Sequence, residues 1–238
     1  MFNLNVLTLV FNGLTLSLAL GFLILILWHD SQKRANQFFA IFLFLVIVWN
    51  IGSLALQASI LTVDNSAIND VALALLEFGF IGSSVGLYVF TTVIVGVHSR
   101  RLRFLAFTSL FFILSYRLFL IVNRDTIYVD VVTVSTLEYD FQPLSILFLL
   151  VFDSTTLFLI WYYRRKIRAR GIVIGILTFL FGQSLTFFNP DLAVSALSTN
   201  VSSFGILILS FAILQREIIT PLSERITQIE AMHQVSLS

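Results

Sequence analysis

The run Val201-Ser202-Ser203-Phe204-Gly205-Ile206-Leu207-Ile208-Leu209-Ser210-Phe211-Ala212-Ile213-Leu214 is apolar or small throughout and stops at Gln215-Arg216-Glu217. Lipid cannot hydrogen-bond an open backbone, so such a stretch crosses a bilayer only as a helix. It predicts a span over residues 197–215. Beyond the charged exit, Thr220 suits a helix cap and Pro221 the first turn of a new helix, so a joint is expected just below the membrane. Ile219, Leu222, Ile226 and Ile229 then recur at steps of three and four, the seam of a short coiled coil. About two heptads are too few to stand alone, so the seam predicts a dimer partner or a following domain. Pro221, Leu222, Ile226 and Ile229 are therefore the candidate signal-transmission residues.

Working outward, the composition places the whole chain in a membrane. Of 238 residues, 58 % are hydrophobic and 11 % charged, and the mean hydropathy is +0.97. A soluble domain of this length cannot bury such a composition. Cysteine is absent, which excludes a disulfide-stapled extracellular scaffold. Seven apolar segments predict spans at 4–28, 37–61, 70–97, 104–122, 143–163, 172–188 and 197–215. The first lacks a basic leader and a small-residue cleavage site, so it is read as a retained helix. The fold class expected is an all-α membrane protein, a seven-transmembrane-helix bundle. Residues 1–216 form the sensor domain and 217–238 a cytoplasmic coiled-coil linker to an output domain beyond Ser238.

Orientation follows from the loops. Lys33-Arg34, then Arg100, Arg101 and Arg103, then Arg164, Arg165, Lys166, Arg168 and Arg170 follow the first, third and fifth spans. The alternate links carry Asp64, Asp125, Asp130, Glu138, Asp140 and Asp191, with Arg124 as their one basic residue. The positive-inside rule puts the N-terminus outside and the C-terminus in the cytoplasm. In the longest outer link, 123–142, alternation around Ile127, Val129 and Val131 and strand formers at Leu137, Tyr139 and Phe141 suggest a β-hairpin lid; a plain connector is the other reading.

Three ionisable residues fall inside predicted spans: Glu77, Arg117 and Asp153. A charge there costs roughly 2.5–3.5 kcal/mol unless paired or hydrated. Glu77 and Arg117 match in depth, so they are a candidate pair; Asp153 lies deeper, where it shares Arg117, bonds to hydroxyls such as Thr155, or is protonated. Two readings stand. One is a polar pocket in the outer half of the bundle, lined also by Tyr116, Gln57, Asn50, Gln183 and Asn200, in which the planar fork of Arg117 anchors an anionic or carbonyl head group. The other is a structural ion pair, or an arginine snorkelling to the interface. Gly79, Gly82 and Gly86, with Ser83 and Ser84 between, allow close helix approach.

Signals for catalysis are missing. His29, His98 and His233 are isolated, with no second ligand at metal spacing, and no glycine-rich phosphate loop precedes a helix. Lys33 and Lys166 lie in loops, which excludes a retinal Schiff base. No catalytic residue, metal, cofactor or nucleic acid is expected, and the chain itself is not expected to be an enzyme.

Leu75-Leu76-Glu77-Phe78-Gly79-Phe80-Ile81-Gly82, Gln142-Pro143-Leu144, the arginine-rich end of the fifth span, and Gln215-Arg216-Glu217-Ile218-Ile219-Thr220-Pro221-Leu222 carry a resemblance. The layout resembles the N-terminal seven-transmembrane sensor region of bacterial membrane histidine kinases and related signalling receptors. The tail from Ile229 to Ser238 looks like the lead-in to a GAF-type domain. The resemblance implies a homodimeric receptor in the bacterial inner membrane, whose full-length parent is a sensor histidine kinase of a two-component system. It would sense a small, partly apolar ligand, a lipid or a membrane state. The alternative is a small transporter or channel using Glu77, Arg117 and Asp153 as a relay, which the lack of an internal repeat weakens. A third is a structural subunit without a ligand.

Overall fold

The computed structural model describes residues 4–62, 66–97, 99–122, 143–165, 167, 170–185, 192–221 and 223. Among them are seven α-helices and no strand: α1 (Leu4–Asp30), α2 (Arg34–Thr62), α3 (Ser66–Ile94), α4 (Arg100–Val122), α5 (Pro143–Tyr162), α6 (Arg170–Leu185) and α7 (Leu192–Leu214). Four of these, α1, α2, α3 and α7, contain segments long and apolar enough to cross a membrane, and α5 and α6 contain shorter apolar segments. The chain is a membrane protein whose described residues form helices and no strand. The expected hairpin at 123–142 and the seam residues Leu222, Ile226 and Ile229 lie outside the described residues.

Most helices begin or end a few residues away from the apolar runs, because backbone hydrogen bonding does not stop where hydropathy does. The end of α3 has a specific cause. Gly96 adopts φ +77°, a conformation costly for any residue with a Cβ. Its N–H donates to the Val93 carbonyl at 3.1 Å and that of Val97 to the Thr92 carbonyl at 2.8 Å. These are the two bonds of a Schellman cap, so α3 stops at Ile94 rather than at the expected 97. Ser99 then opens α4 by accepting from the Leu102 N–H at 3.3 Å. Pro143 opens α5, where its missing N–H costs nothing.

Two helix pairs are in backbone contact. A methyl group added at Gly79 would overlap the Trp49 backbone, and one at Gly52 would overlap the Leu76 backbone, so α2 and α3 cross with nothing between them. Gly82 and Gly86 extend the same face against Leu45 and Phe42. The pair α6–α7 repeats the device: Gly175 faces the Leu209 backbone, Gly182 faces Ser202, and Gly205 faces the Phe179 backbone. The glycines of α3 are therefore packing residues between α3 and α2. Against these pairs stand α1, packed on α2 and α7, and α4 and α5, both packed on α3.

The core sits between the pairs. Phe39 and Phe42 of α2, Phe90 of α3 and Phe179 of α6 are fully buried. The Phe42 and Phe179 rings meet edge to face at 5.3 Å, and those of Phe39 and Phe90 at 5.1 Å. Outward faces stay apolar: Trp28, Phe104, Phe111 and Phe181 are exposed, as expected of side chains that meet lipid.

Gly79→Ala should lower the stability of the chain in detergent by about 1–3 kcal/mol, the usual cost of overpacking. Gly13→Ala, where a Cβ meets open space, should stay within about 0.5 kcal/mol. Paired thermal unfolding curves check the difference.

Candidate functional site

Polar groups at mid-bundle depth gather on one seam, where α3, α5 and α6 meet. Gln183 of α6 is fully buried. Its Nε2 donates to the Phe80 carbonyl at 3.2 Å and to Ser83 Oγ at 3.1 Å. Ser83 gives its own hydrogen to the Phe80 carbonyl at 2.6 Å. On the other side of the amide, Ser84 Oγ donates to Gln183 Oε1 at 2.8 Å. One glutamine thus bonds three groups of α3 and ties the two close-packed helix pairs together. A buried polar side chain is tolerated only when its donors and acceptors are satisfied, and the amide of Gln183 meets that condition within protein.

Asp153, midway along α5, joins the same seam. It is buried on a helix that packs against α3, and one of its carboxyl oxygens, Oδ1, is buried with no hydrogen-bond partner among the described residues. The ring of its neighbour Phe152 packs against Tyr88 of α3 at 5.5 Å, which holds α5 at this level. The expected partner Thr155 does not take part. Its hydroxyl is exposed and donates to the Val151 and Phe152 carbonyls of its own helix, at 2.8 and 2.9 Å.

The other predicted pocket residues are dispersed. Glu77 is buried on α3, two turns from Ser84. Asn50 is buried on α2 but turns back on its own helix, donating to the Val46 carbonyl at 2.8 Å. Tyr116 is half-buried on α4, and Asn200 is half-buried on α7. The side chains of Arg117 and Gln57 lie outside the described residues, and with them the expected Glu77–Arg117 pair. The structure therefore ties Gln183 to Ser83 and Ser84, the serines that lie between the glycines of α3, and places Asp153 on α5, which packs on the same helix. It also adds a contact that a search for ionisable groups passes over: Asn12 Nδ2 of α1 donates to Ser53 Oγ of α2 at 2.7 Å.

A second constellation lies at the end of the bundle that carries the basic loops. α7 does not break at Thr220. It widens into a π-helical turn at Gln215–Ile219, and Thr220 follows with helical dihedrals, φ −62° and ψ −49°. A proline ring collides with the carbonyl four residues back and offers no N–H; one extra residue in the turn lets Pro221 stay in the helix. Thr220 does not cap a new helix. Its backbone N–H and its hydroxyl both bond back to the Gln215 carbonyl, the latter at 2.8 Å. The joint is in the π turn.

That turn is held from outside. Glu217 accepts from Lys33 Nζ at 3.1 Å, and Arg216 Nε lies 3.4 Å from the same carboxylate. Lys33 sits in the α1–α2 turn, which is itself fixed. Asp30 Oδ1 accepts from the Gln32 and Lys33 N–H groups at 3.2 and 3.3 Å, Asn36 Nδ2 donates to the Asp30 carbonyl at 2.9 Å, and Gln37 Nε2 donates to the Ser31 carbonyl at 3.0 Å. The hydrogen bond to Glu217 raises the Lys33 ammonium above its ordinary 10.5, with the charges of Glu217 and Asp30 adding and partial burial opposing. A raised value means the pair's stabilisation is complete below the ordinary value and is lost only as pH climbs through the raised one. The clasp is therefore closed across the neutral range. Lys33 is half exposed, so the pair contributes under about 1 kcal/mol.

Comparison with protein-family models, with curated proteins and with solved structures finds no match. Among the described residues no group of three or more His, Cys, Asp or Glu is placed to hold a metal ion.

Gln183→Leu keeps the volume but takes the acceptor from the Ser84 hydroxyl, while Ser83 keeps its own bond to the Phe80 carbonyl. It should cost about 1–3 kcal/mol, the penalty for buried groups left unsatisfied, measured by thermal unfolding in micelles. Asn50→Leu, whose amide donates only to its own helix in the bonds described, should cost less.

Proposed function

We propose that the chain is a signal-input domain: a seven-span bundle, N-terminus outside and C-terminus in the cytoplasm, that passes a change in helix packing out through α7. The observation that carries this reading is the continuity of α7. It runs without a break from its apolar span into a π turn, and the α1–α2 turn grips that π turn through Lys33 and Glu217. A π turn is a common place for a helix to adjust. A weak ion pair beside it sets a low barrier between two exit-helix positions. Two packings that differ by one or two kcal/mol are what a ligand needs to shift a population.

Other features support the same reading. Lys33, Arg103, Arg165, Arg170 and Arg216 fall at the end where α7 leaves, with Arg103 over the Phe38 ring at 5.6 Å, and that basic end faces the cytoplasm by the positive-inside rule. The seam beyond Pro221 suits a homodimeric rod leading to a kinase-type output domain. The ligand class that fits the Phe-rich interior and the polar seam is small and partly apolar, entering beside Asp153 and Gln183.

Charge reversal tests the coupling. With no cysteine in the chain, a spin label at Ile219→Cys reports the exit helix alone. Lys33→Glu and Glu217→Lys should each raise its mobility, and the double swap should restore it. Reconstituted in liposomes, the chain should carry no ion or proton flux; flux would favour a transporter, and unchanged mobility in both single variants would remove the coupling.

A further inference from the structure

The cations of the basic end are neutralised on one side only. Beside α1, α2 and α7, Lys33 lies 3.6 Å from Asp30 and 3.1 Å from Glu217, and Arg216 lies 3.4 Å from Glu217. On α4 and at the end of α5 stand Arg100, Arg101, Arg103, Arg164 and Arg165, and none of them has an ion pair among the described residues. Apart from the half-buried Arg103, all are exposed. Membrane topology asks only for cations near the span ends. It gives no reason for carboxylates to answer them on one side of the rim and not on the other.

The two arginine groups belong to one surface. α4 and α5 both pack on α3, where Ala106 of α4 and Phe152 and Leu159 of α5 share a cluster with Tyr88 and Val89. Arg103 is less than one turn before Ala106, and Arg164 is about one and a half turns past Leu159. The Arg103 guanidinium lies over the Phe38 ring, 5.6 Å from its centroid, and Phe38 packs on the same cluster. Next to these charges the helices expose aromatic rings: Phe104 on α4, and Phe158, Trp161 and Tyr162 on α5. The Phe158 ring packs against both of the last two. Exposed Trp and Tyr are at home at headgroup level.

We propose that the rim of α4 and α5 holds a diacyl lipid with an anionic phosphate head. The head sits between Arg101 and Arg103 on one side and Arg164 and Arg165 on the other, with the acyl chains along Phe104 and Phe158. The planar fork of arginine takes two phosphate oxygens at once, and basic pockets between spans suit such heads. A zwitterionic lipid brings its own cation and gains less. The bound lipid joins α4 to α5, which also meet through the Phe112 and Phe148 rings, 6.1 Å apart and farther from the arginines. The site requires neither a stimulus nor an output domain, so it stands or falls apart from the signal-input reading.

The tryptophans supply the test. Trp161 is exposed at the α5 side of the site, Trp28 is exposed at the end of α1 beside the paired half, and Trp49 is buried. Bromine on an acyl chain quenches only the indoles it touches. The whole chain is reconstituted in phosphatidylcholine vesicles containing a small fraction of brominated phosphatidylglycerol or brominated phosphatidylcholine. Trp28→Phe then reads Trp161, and Trp161→Phe reads Trp28. Phosphatidylglycerol should be preferred at Trp161 by roughly fivefold or more, the ratio that one arginine near anionic lipid supplies, and by less at Trp28. Arg101→Gln combined with Arg164→Gln leaves Arg100, Arg103 and Arg165 to hold orientation. This variant should lower the preference at Trp161 and leave that at Trp28 unchanged. The comparison of the two tryptophans uses the native arginines, so it decides the matter even if the double variant does not fold. Equal preference at both tryptophans, which would mean attraction to a charged face without a site, would overturn the proposal. So would a Trp161 preference that survives the double variant, or one abolished by inorganic phosphate at constant ionic strength.

Discussion

A polar side chain deep in a bilayer has no water to fall back on, and the arrangement of this bundle follows from that constraint. Gln183 could not sit fully buried on α6 without partners for both ends of its amide, and those partners are all on α3. Its hydrogen bonds fix how far α6 can slide or turn against α3. Asp153 lies on α5, which packs against the same helix with the Phe152 ring on Tyr88. Apolar packing alone gives no such register, because lipid tails are as apolar as leucine and the hydrophobic effect does not distinguish one helix face from another.

Around that junction the glycine contacts make two stiff units. Where α2 meets α3 and α6 meets α7 the backbones touch, and such interfaces cannot yield gradually. Between the units the contacts named are made by side chains rather than backbones at two places, the polar seam in the middle and the ion pair at the basic end. The two are joined through α7, which packs along α6 and continues into the π turn beside Lys33. The mechanical core of the proposed function is this division into rigid pairs and soft joints.

Much of this was legible in the sequence. Seven apolar runs separated by charge gave seven helices, since hydropathy and backbone satisfaction point the same way. The ends were less legible. Asn36 and Gln37 extend the first turn by side-chain bonds to the backbone, and Gly96 stops α3 early, a glycine just past an apolar run that was there to be read as a cap. Gln183 and Asp153 were found as polar residues in apolar spans, but depth alone says nothing of azimuth. For Asp153 the sequence offered Arg117, a hydroxyl such as that of Thr155, or protonation, and the Thr155 hydroxyl bonds to its own helix instead. Ser84 looked like a spacer because most buried hydroxyls here, such as those of Thr91 and Thr92, bond only to their own helix. Pro221 was read as the start of a new helix after a joint, whereas the helix continues through Thr220 and it is the turn before it, Gln215–Ile219, that widens.

Which side of the membrane holds the Lys33–Glu217 end decides whether α7 can deliver anything to the cell interior. The chain has no native cysteine, so single cysteines at Gln32, Arg101, Arg165, Thr220 and Asp130 can be probed in intact cells with an impermeant maleimide. The account predicts that Asp130→Cys reacts at once and that the other four react only after the membrane is permeabilised. Labelling of Gln32→Cys or Thr220→Cys from outside, or of Gln32→Cys and Arg165→Cys from opposite faces, would contradict it.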